Sequence, residues 1–270
     1  MRETAYAKIN LALHVRERRP DGYHAIETIF AFAEDGDLLR VEEGEGLSLH
    51  VEGPFAGALA GECDNLVLRA ARALAERYGV EKGARLVLDK RLPVASGIGG
   101  GSADAAAALR LLTRFWRLTA EEGGLLAIAR ALGADVPACL VSRSMRGVGK
   151  GDELEPWDAE LGGTPLLLVN PGVGVSTVEV FGRWDRTDRG ALGDPRAGRN
   201  DLETPAMSVA PVIGEVLETL RGSGGVRLAR MSGSGATCFA LFGSEAERDA
   251  AAERIRGEQP GWWLLASRLR

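Results

Sequence analysis

Four glycines fall within the five residues Gly97-Ile98-Gly99-Gly100-Gly101, and the chain runs from them straight into Ser102-Ala103-Asp104-Ala105-Ala106-Ala107-Ala108-Leu109. Glycine lets successive backbone N–H groups turn toward one point and lets a ligand approach with no Cβ in the way. A helix starting just behind adds unpaired N–H groups and the positive end of its dipole. Together these suit phosphate. A flexible linker, the bland alternative, would not pass at once into an amphipathic helix with a serine at its cap. Three kinds of phosphate loop compete. A Gly-x-x-x-x-Gly-Lys-Ser/Thr loop is excluded, because Gly149-Lys150 is followed by Gly151 and lacks the magnesium-binding hydroxyl. A dinucleotide Gly-x-Gly-x-x-Gly loop fits Gly97 and Gly99 but meets Ser102 where its third glycine belongs. That loop also needs a strand with an acidic residue about 20 positions on, and here a second helix follows. A nucleotide loop of a third kind is left.

The elements that must hold this loop follow from hydrophobic period. Residues 4–15 alternate as a strand, with Ile9, Leu11, Leu13 and Val15 on one face. Arg19-Pro20-Asp21-Gly22 is a turn signal, after which residues 25–32 are extended again. Segments 38–41 and 47–51 flank Glu43-Gly44-Glu45-Gly46 and predict a hairpin. From Asn65 the period becomes helical through Leu66, Ala70, Leu74 and Tyr78, with Gly79 at the stop. Leu86-Val87-Leu88 is a short strand leading into the glycine loop. A helix is predicted over 102–116 and another from Thr119, which forms a capping-box pattern with Glu122, to about Gly133. Beyond a boundary at 156–163 come strand 165–169, helices within 200–221, strands 225–230 and 236–242, helix 245–256 and strand 262–269. That order is the β-α-β-β-α-β pattern of a ferredoxin-like domain. Residues 186–200 read as a mobile loop.

Composition narrows the class. A chain of 270 residues suits one large or two small domains, and 45% apolar with 26% charged residues is ordinary globular usage. A net charge of −5 without a basic run gives no case for nucleic acid or an anionic membrane. The start lacks a signal-peptide core, and no apolar run approaches the roughly 18 residues that span a bilayer. Cys63, Cys139 and Cys238 are odd in number and far apart among apolar neighbours, so they read as reduced core residues. A cytoplasmic protein is the simplest expectation.

The sequence around the loop, Pro93-x-x-x-Gly97-Ile98-Gly99-Gly100-Gly101-Ser102-Ala103, resembles the central motif of the GHMP kinase superfamily. Met231-Ser232-Gly233-Ser234-Gly235-Ala236-Thr237 resembles its third motif. Ala7-Lys8-Ile9-Asn10-Leu11, Pro20-Asp21-Gly22-Tyr23-His24, Gly133-Ala134-Asp135-Val136-Pro137 and Asn170-Pro171-Gly172 narrow the likeness. They point to the branch that phosphorylates cytidine-diphosphate-linked methylerythritol. The resemblance runs from Ala5 to about Phe242. Departures are small: Tyr6 stands where proline is common, and Ala95, Ser96 and Ala103 replace the usual glycine, alanine and serine.

The resemblance implies an α+β, two-domain GHMP-kinase fold. Residues 1–158 would form an N-terminal α/β domain of the ribosomal protein S5 domain 2-like type, and 159–270 a ferredoxin-like α/β sandwich. It implies ATP with Mg2+, a small-molecule substrate, no nucleic acid or membrane partner, and a monomer or weak homodimer. The nucleotide would lie on Pro93, Val94, Ala95, Ser96, Gly97, Ile98, Gly99, Gly100, Gly101, Ser102 and Ala103. Ser102 could bind phosphate or magnesium, cap the helix, or do both. Asp135 is implied as general base, although aspartate before a short helix containing Pro137 is also a ready N-cap. Lys8, by type a surface residue, is implied to hold the reacting hydroxyl and offset developing charge. Asn10 projects from the same strand face. Tyr23 and His24 are assigned to the cytidine base, with Phe181 as a second ring, or as core, and Thr177 nearby. Asp104 is expected to stabilise the first helical turn. The Gly233-Ser234-Gly235 turn is expected to pack on the phosphate loop or on the active-site aspartate. The nearest rivals are homoserine or mevalonate kinases, whose substrates have no use for the Tyr23-His24 pair, and a catalytically silent protein on the same fold.

Overall fold

The computed structural model describes residues 1–61, 64–157, 161–194 and 197–270. Cys63 and the boundary at 158/159 lie outside the described residues. Two long strands, β1 (Arg2–Arg18) and β2 (His24–Glu42), pair with each other. The two extended stretches expected within 25–41 are thus one strand. The chain forms two compact units: Met1–Ala7 with Asp35–Val94 and Gly99–Ser142, and Lys8–Glu34 with Ala95–Ile98 and Arg143–Arg270.

The first unit holds β3 (Leu47–Glu52), α1 (Leu66–Tyr78), β4 (Ala84–Asp89), α2 (Gly100–Phe115), α3 (Glu122–Leu132) and α4 (Val136–Val141). Asn65 caps α1 by accepting from Val67 N at 2.9 Å, and Gly79 ends it at φ +62°. The expected hairpin between β2 and β3 does not form. β4 inserts between them, parallel to β3 and antiparallel to the end of β2. Leu86-Val87-Leu88 of β4 is buried throughout, which suits a strand in the interior of the sheet. β3, at the edge, alternates between half-buried and exposed residues. The alanine-rich α2 buries Ala103 and Ala105–Ala108 along with Leu109, Leu111 and Leu112, and so runs through the interior.

Helix starts correct the sequence reading twice. Gly99, not Ser102, is the N-cap of α2, in left-handed backbone at φ +64°, and Ser102 sits third in the helix. Helix α3 opens on Glu121, whose carbonyl takes Gly124 N and Leu125 N, so Thr119 caps nothing.

In the second unit, β5 (Met145–Val148) and β6 (Glu153–Pro156) form a hairpin that extends β2. Four residues each, they carry too little pattern to have been anticipated. Then come β7 (Pro165–Asn170), α5 (Thr177–Gly182), α6 (Glu203–Val209), α7 (Val212–Arg221), β8 (Val226–Met231), β9 (Cys238–Phe242), α8 (Glu245–Glu258) and β10 (Trp263–Arg268). The antiparallel order β10-β7-β9-β8 is that of the expected β-α-β-β-α-β motif. Its core gathers Leu167, Val169, Ile213, Val216, Leu217, Leu220, Phe242 and Ile255. Cys139 and Cys238 are buried. No helix is long and apolar enough to cross a membrane among the described residues.

Candidate active site

Lys8 and Asn10 point the same way from β1, two residues apart, and both are buried. The Lys8 ammonium donates to Asn10 Oδ1 at 2.9 Å and lies 5.4 Å from the Phe30 ring centroid. Asn10 Nδ2 donates to Thr28 Oγ1 at 2.8 Å, and Thr28 Oγ1 donates to the Ala12 carbonyl at 2.7 Å. This chain of donors fixes which way the Asn10 amide faces, with its oxygen toward the ammonium. Thr28 comes from β2, 18 positions away, and no local sequence signal marks it.

The same strand holds the first part of the glycine loop. Lys8 N donates to Ile98 O at 3.0 Å. Asn10 N donates to Ser232 Oγ at 3.2 Å, and Ser232 Oγ donates to Gly97 O at 2.9 Å. Thr237 N donates to Ser96 O at 3.1 Å. The third motif therefore packs on residues 96–97, as expected. Gly97 is demanded twice over: φ is +78°, and a Cβ would sit 2.4 Å from Ser232 O. Ile98 is fully buried and offers only its backbone. Thr177 Oγ1 lies 2.8 Å from Ser234 Oγ.

Within the first unit, Gly99–Ser102 open α2 with no side chain capping them. Their N–H groups are the donors an anion would take. Behind this turn Lys90, Asp37 and Asp104 form a buried ionic cluster that sequence reading missed. The ammonium donates at 2.6 Å to Asp37 Oδ2 and at 2.6 Å to Asp104 Oδ2. Asp37 Oδ1 also takes Arg91 N at 2.5 Å and Leu92 N at 2.8 Å. Asp104 thus acts through Lys90 and not, as expected, on its own helical turn. Burial pushes the Asp104 carboxyl up, more than Lys90 draws it down, and the Asp37 charge adds to the rise; it reaches about 7. Its Oδ1 has no hydrogen-bond partner, which removes one stabiliser of the ionised form. Burial pushes Lys90 down, but the charges and hydrogen bonds of the two aspartates outweigh it, and its pKa is raised.

Asp135 precedes α4, half-buried, and its side chain makes no capping bond to that helix. Lys8 and Asp135 fall in different compact units, and each is placed within its own.

Tyr23 and His24 lie at the start of β2. Tyr23 is 57% exposed, with the Lys150 ammonium 4.9 Å from its ring centroid. His24 stacks on Phe181, centroids 4.8 Å apart, and meets Trp184 edge-on at 5.7 Å. Phe181 packs half-buried against the core and also stacks on His24. Burial, with the Arg18 charge, lowers the His24 pKa. A neutral ring offers one donor and one acceptor.

No cluster of three or more His, Cys, Asp or Glu side chains forms a metal cage among the described residues. The donor set at the helix start is a hydroxyl, Ser102, beside backbone N–H groups. That suits a magnesium ion arriving on the phosphates, which needs few protein oxygens.

Known proteins bear on this arrangement. The family model described as GHMP kinases N terminal domain matches residues 65–143, and GHMP kinases C terminal matches 185–260. A 4-diphosphocytidyl-2-C-methyl-D-erythritol kinase of Rhizorhabdus wittichii is 59% identical, over 99% of this chain and 94% of its own. One of Novosphingobium aromaticivorans is 51% identical, over 100% and 93%. A crystal structure of 4-(cytidine 5′-diphospho)-2C-methyl-D-erythritol kinase matches with TM-score 0.85 at 36% identity, covering 100% of this chain and 99% of that one. The chain belongs to the 4-diphosphocytidyl-2-C-methyl-D-erythritol kinase family of the GHMP kinases.

Proposed function

We propose that the protein transfers the γ-phosphate of ATP to the 2-hydroxyl of 4-(cytidine 5′-diphospho)-2-C-methyl-D-erythritol. The products are the 2-phosphate and ADP, on the non-mevalonate route to isoprenoid precursors. The observation that carries this reading is the buried Lys8 ammonium, oriented by Asn10 on a strand whose own backbone grips the glycine loop at Ile98.

Phosphoryl transfer asks a protein mainly for positioning and charge stabilisation. Backbone N–H groups of 96–102 hold the phosphates, and Ser102 adds its hydroxyl to them or to magnesium. Magnesium, when bound, screens the phosphate charge. Asp135 accepts the proton of the attacking hydroxyl as general base. Lys8 orients that hydroxyl and offsets negative charge as the bond forms. The neutral His24 bonds the cytosine edge, and Tyr23 and Phe181 supply aromatic faces, with Thr177 beside them. Residues 1–158 would carry the nucleotide loop and catalytic groups, and 159–270 the ferredoxin-like part. The enzyme works in the cytoplasm as a monomer or weak homodimer.

Steady-state kinetics of Asp135→Asn and Lys8→Met test the assignment. Each is expected to lower kcat by about 10²- to 10⁴-fold with KM for ATP little changed. Near wild-type turnover in either variant removes that residue from the mechanism.

A further inference from the structure

The segment Gly198-Arg199-Asn200-Asp201-Leu202, which straddles the end of the stretch 186–200 read as a mobile loop, is built into the second unit at three places. Asn200 is buried, and its amide nitrogen donates both hydrogens, to Met231 O at 2.9 Å and Gly233 O at 2.8 Å. Its oxygen accepts Leu202 N at 3.0 Å. Three backbone groups are satisfied by one side chain, which uses most of what an amide can offer. Met231 ends β8 and Gly233 lies in the third motif. A Cβ on Gly233 would stand 2.8 Å from Gly97 O, so the motif rests directly on the glycine loop.

The flanking residues bind the segment to β1. Leu13 N donates to Arg199 O at 2.8 Å and Asp201 N to Leu13 O at 2.9 Å, a short parallel bridge. Asp201 Oδ2 takes Val15 N at 2.9 Å, and Oδ1 pairs with Arg199 Nε at 2.6 Å. Arg230, buried beside them, donates to the Leu11 and Gly198 carbonyls. His14 adds a bond to Gly190 O at 3.1 Å. One segment therefore joins the strand that carries Lys8 and Asn10 to the turn that supports Gly97.

We propose that Asn200 is a positioning residue for phosphoryl transfer: its amide sets the place of the Met231–Gly235 turn, and through Ser232 and Gly97 the shape of the phosphate loop, without touching nucleotide. The inference rests on the reading of residues 96–102 as that loop. Replacing the amide leaves two carbonyls unpaired, and the turn they belong to relaxes away from Gly97.

The test is a double-mutant cycle on the intact protein, reading KM for ATP and for the cytidylyl substrate separately. Asn200→Ala is expected to raise KM for ATP about tenfold, the loss of one or two hydrogen bonds, with KM for the cytidylyl substrate within about twofold. Ser232→Ala is expected to raise KM for ATP as well, and the double variant to be no worse than the poorer single one, because both act along one path. Asn200→Ser, which keeps one donor, should fall between and serves if the alanine variant does not fold. An unchanged KM for ATP in the Asn200 variants, equal rises in both KM values, or independent multiplication in the double variant overturns the inference. Hydrogen exchange of the wild-type protein with and without ATP separates the layers: if ATP protects none of the amides of 96–102, the loop reading itself fails; if it protects them while KM for ATP is unchanged in the Asn200 variants, only the role of Asn200 fails.

Discussion

Lys90 faces two carboxylates with one positive charge, in a place with almost no water. The cluster lies directly behind the first turn of α2: a Cβ on Gly100 would stand 3.0 Å from the Lys90 ammonium. Asp104 titrates near 7 when folded against 3.8 ordinarily, so the folded protein holds a proton that the unfolded chain has released between those values. Its contribution to stability is then full below pH 3.8 and is lost as pH rises through about 7. Urea unfolding from pH 5 to 8 should show this one-proton slope, at most about 1.4 kcal/mol per pH unit. In Asp104→Asn that slope should be absent while the Lys90–Asp37 pair persists; an unchanged slope assigns the proton elsewhere. Lys8 and Asn10 were legible because alternation on one strand and a motif marked them. Thr28, Asp37 and Asn200 were not, since their partners lie 18 to 53 positions away and hydrogen bonds of that span leave no local pattern.

Glycine positions in the loop and turns are matters of whole elements, and they differ in what surrounds them. Gly22 needs its φ of +86° but has open space where a Cβ would go. Gly97 needs φ +78° and is pressed against the Ser232 carbonyl. Gly22→Ala should therefore cost about 1 kcal/mol, from backbone conformation alone. Gly97→Ala should cost about 2 kcal/mol or more and raise KM for ATP. Equal losses by urea denaturation would show that the third motif yields freely to the loop. Elements with strong period, such as α1 and α2, were readable with small errors at their ends. The hairpin between β2 and β3 was not, because a turn signal says nothing about a later strand that takes the central place between its arms. The continuous apolar run Leu86-Val87-Leu88 in β4 was the only local hint, since a fully buried run favours an interior strand.

At the scale of the whole molecule, the β-α-β-β-α-β order and the sequence of motifs identified the fold before any coordinates, and likeness across nearly the full chain agrees. The proposed chemistry draws on residues far apart in the chain: Lys8 on β1, the glycine loop before α2, Asp135 before α4, and Tyr23-His24 at the start of β2. Turnover measures whether they act together. ADP release with ATP and one acceptor at a time is the direct measurement, with 4-(cytidine 5′-diphospho)-2-C-methyl-D-erythritol, homoserine and mevalonate compared under the same conditions. The account predicts ADP with the cytidylyl acceptor alone, and its loss in Asp135→Asn. ADP formed with homoserine or mevalonate and not with the cytidylyl acceptor would contradict it.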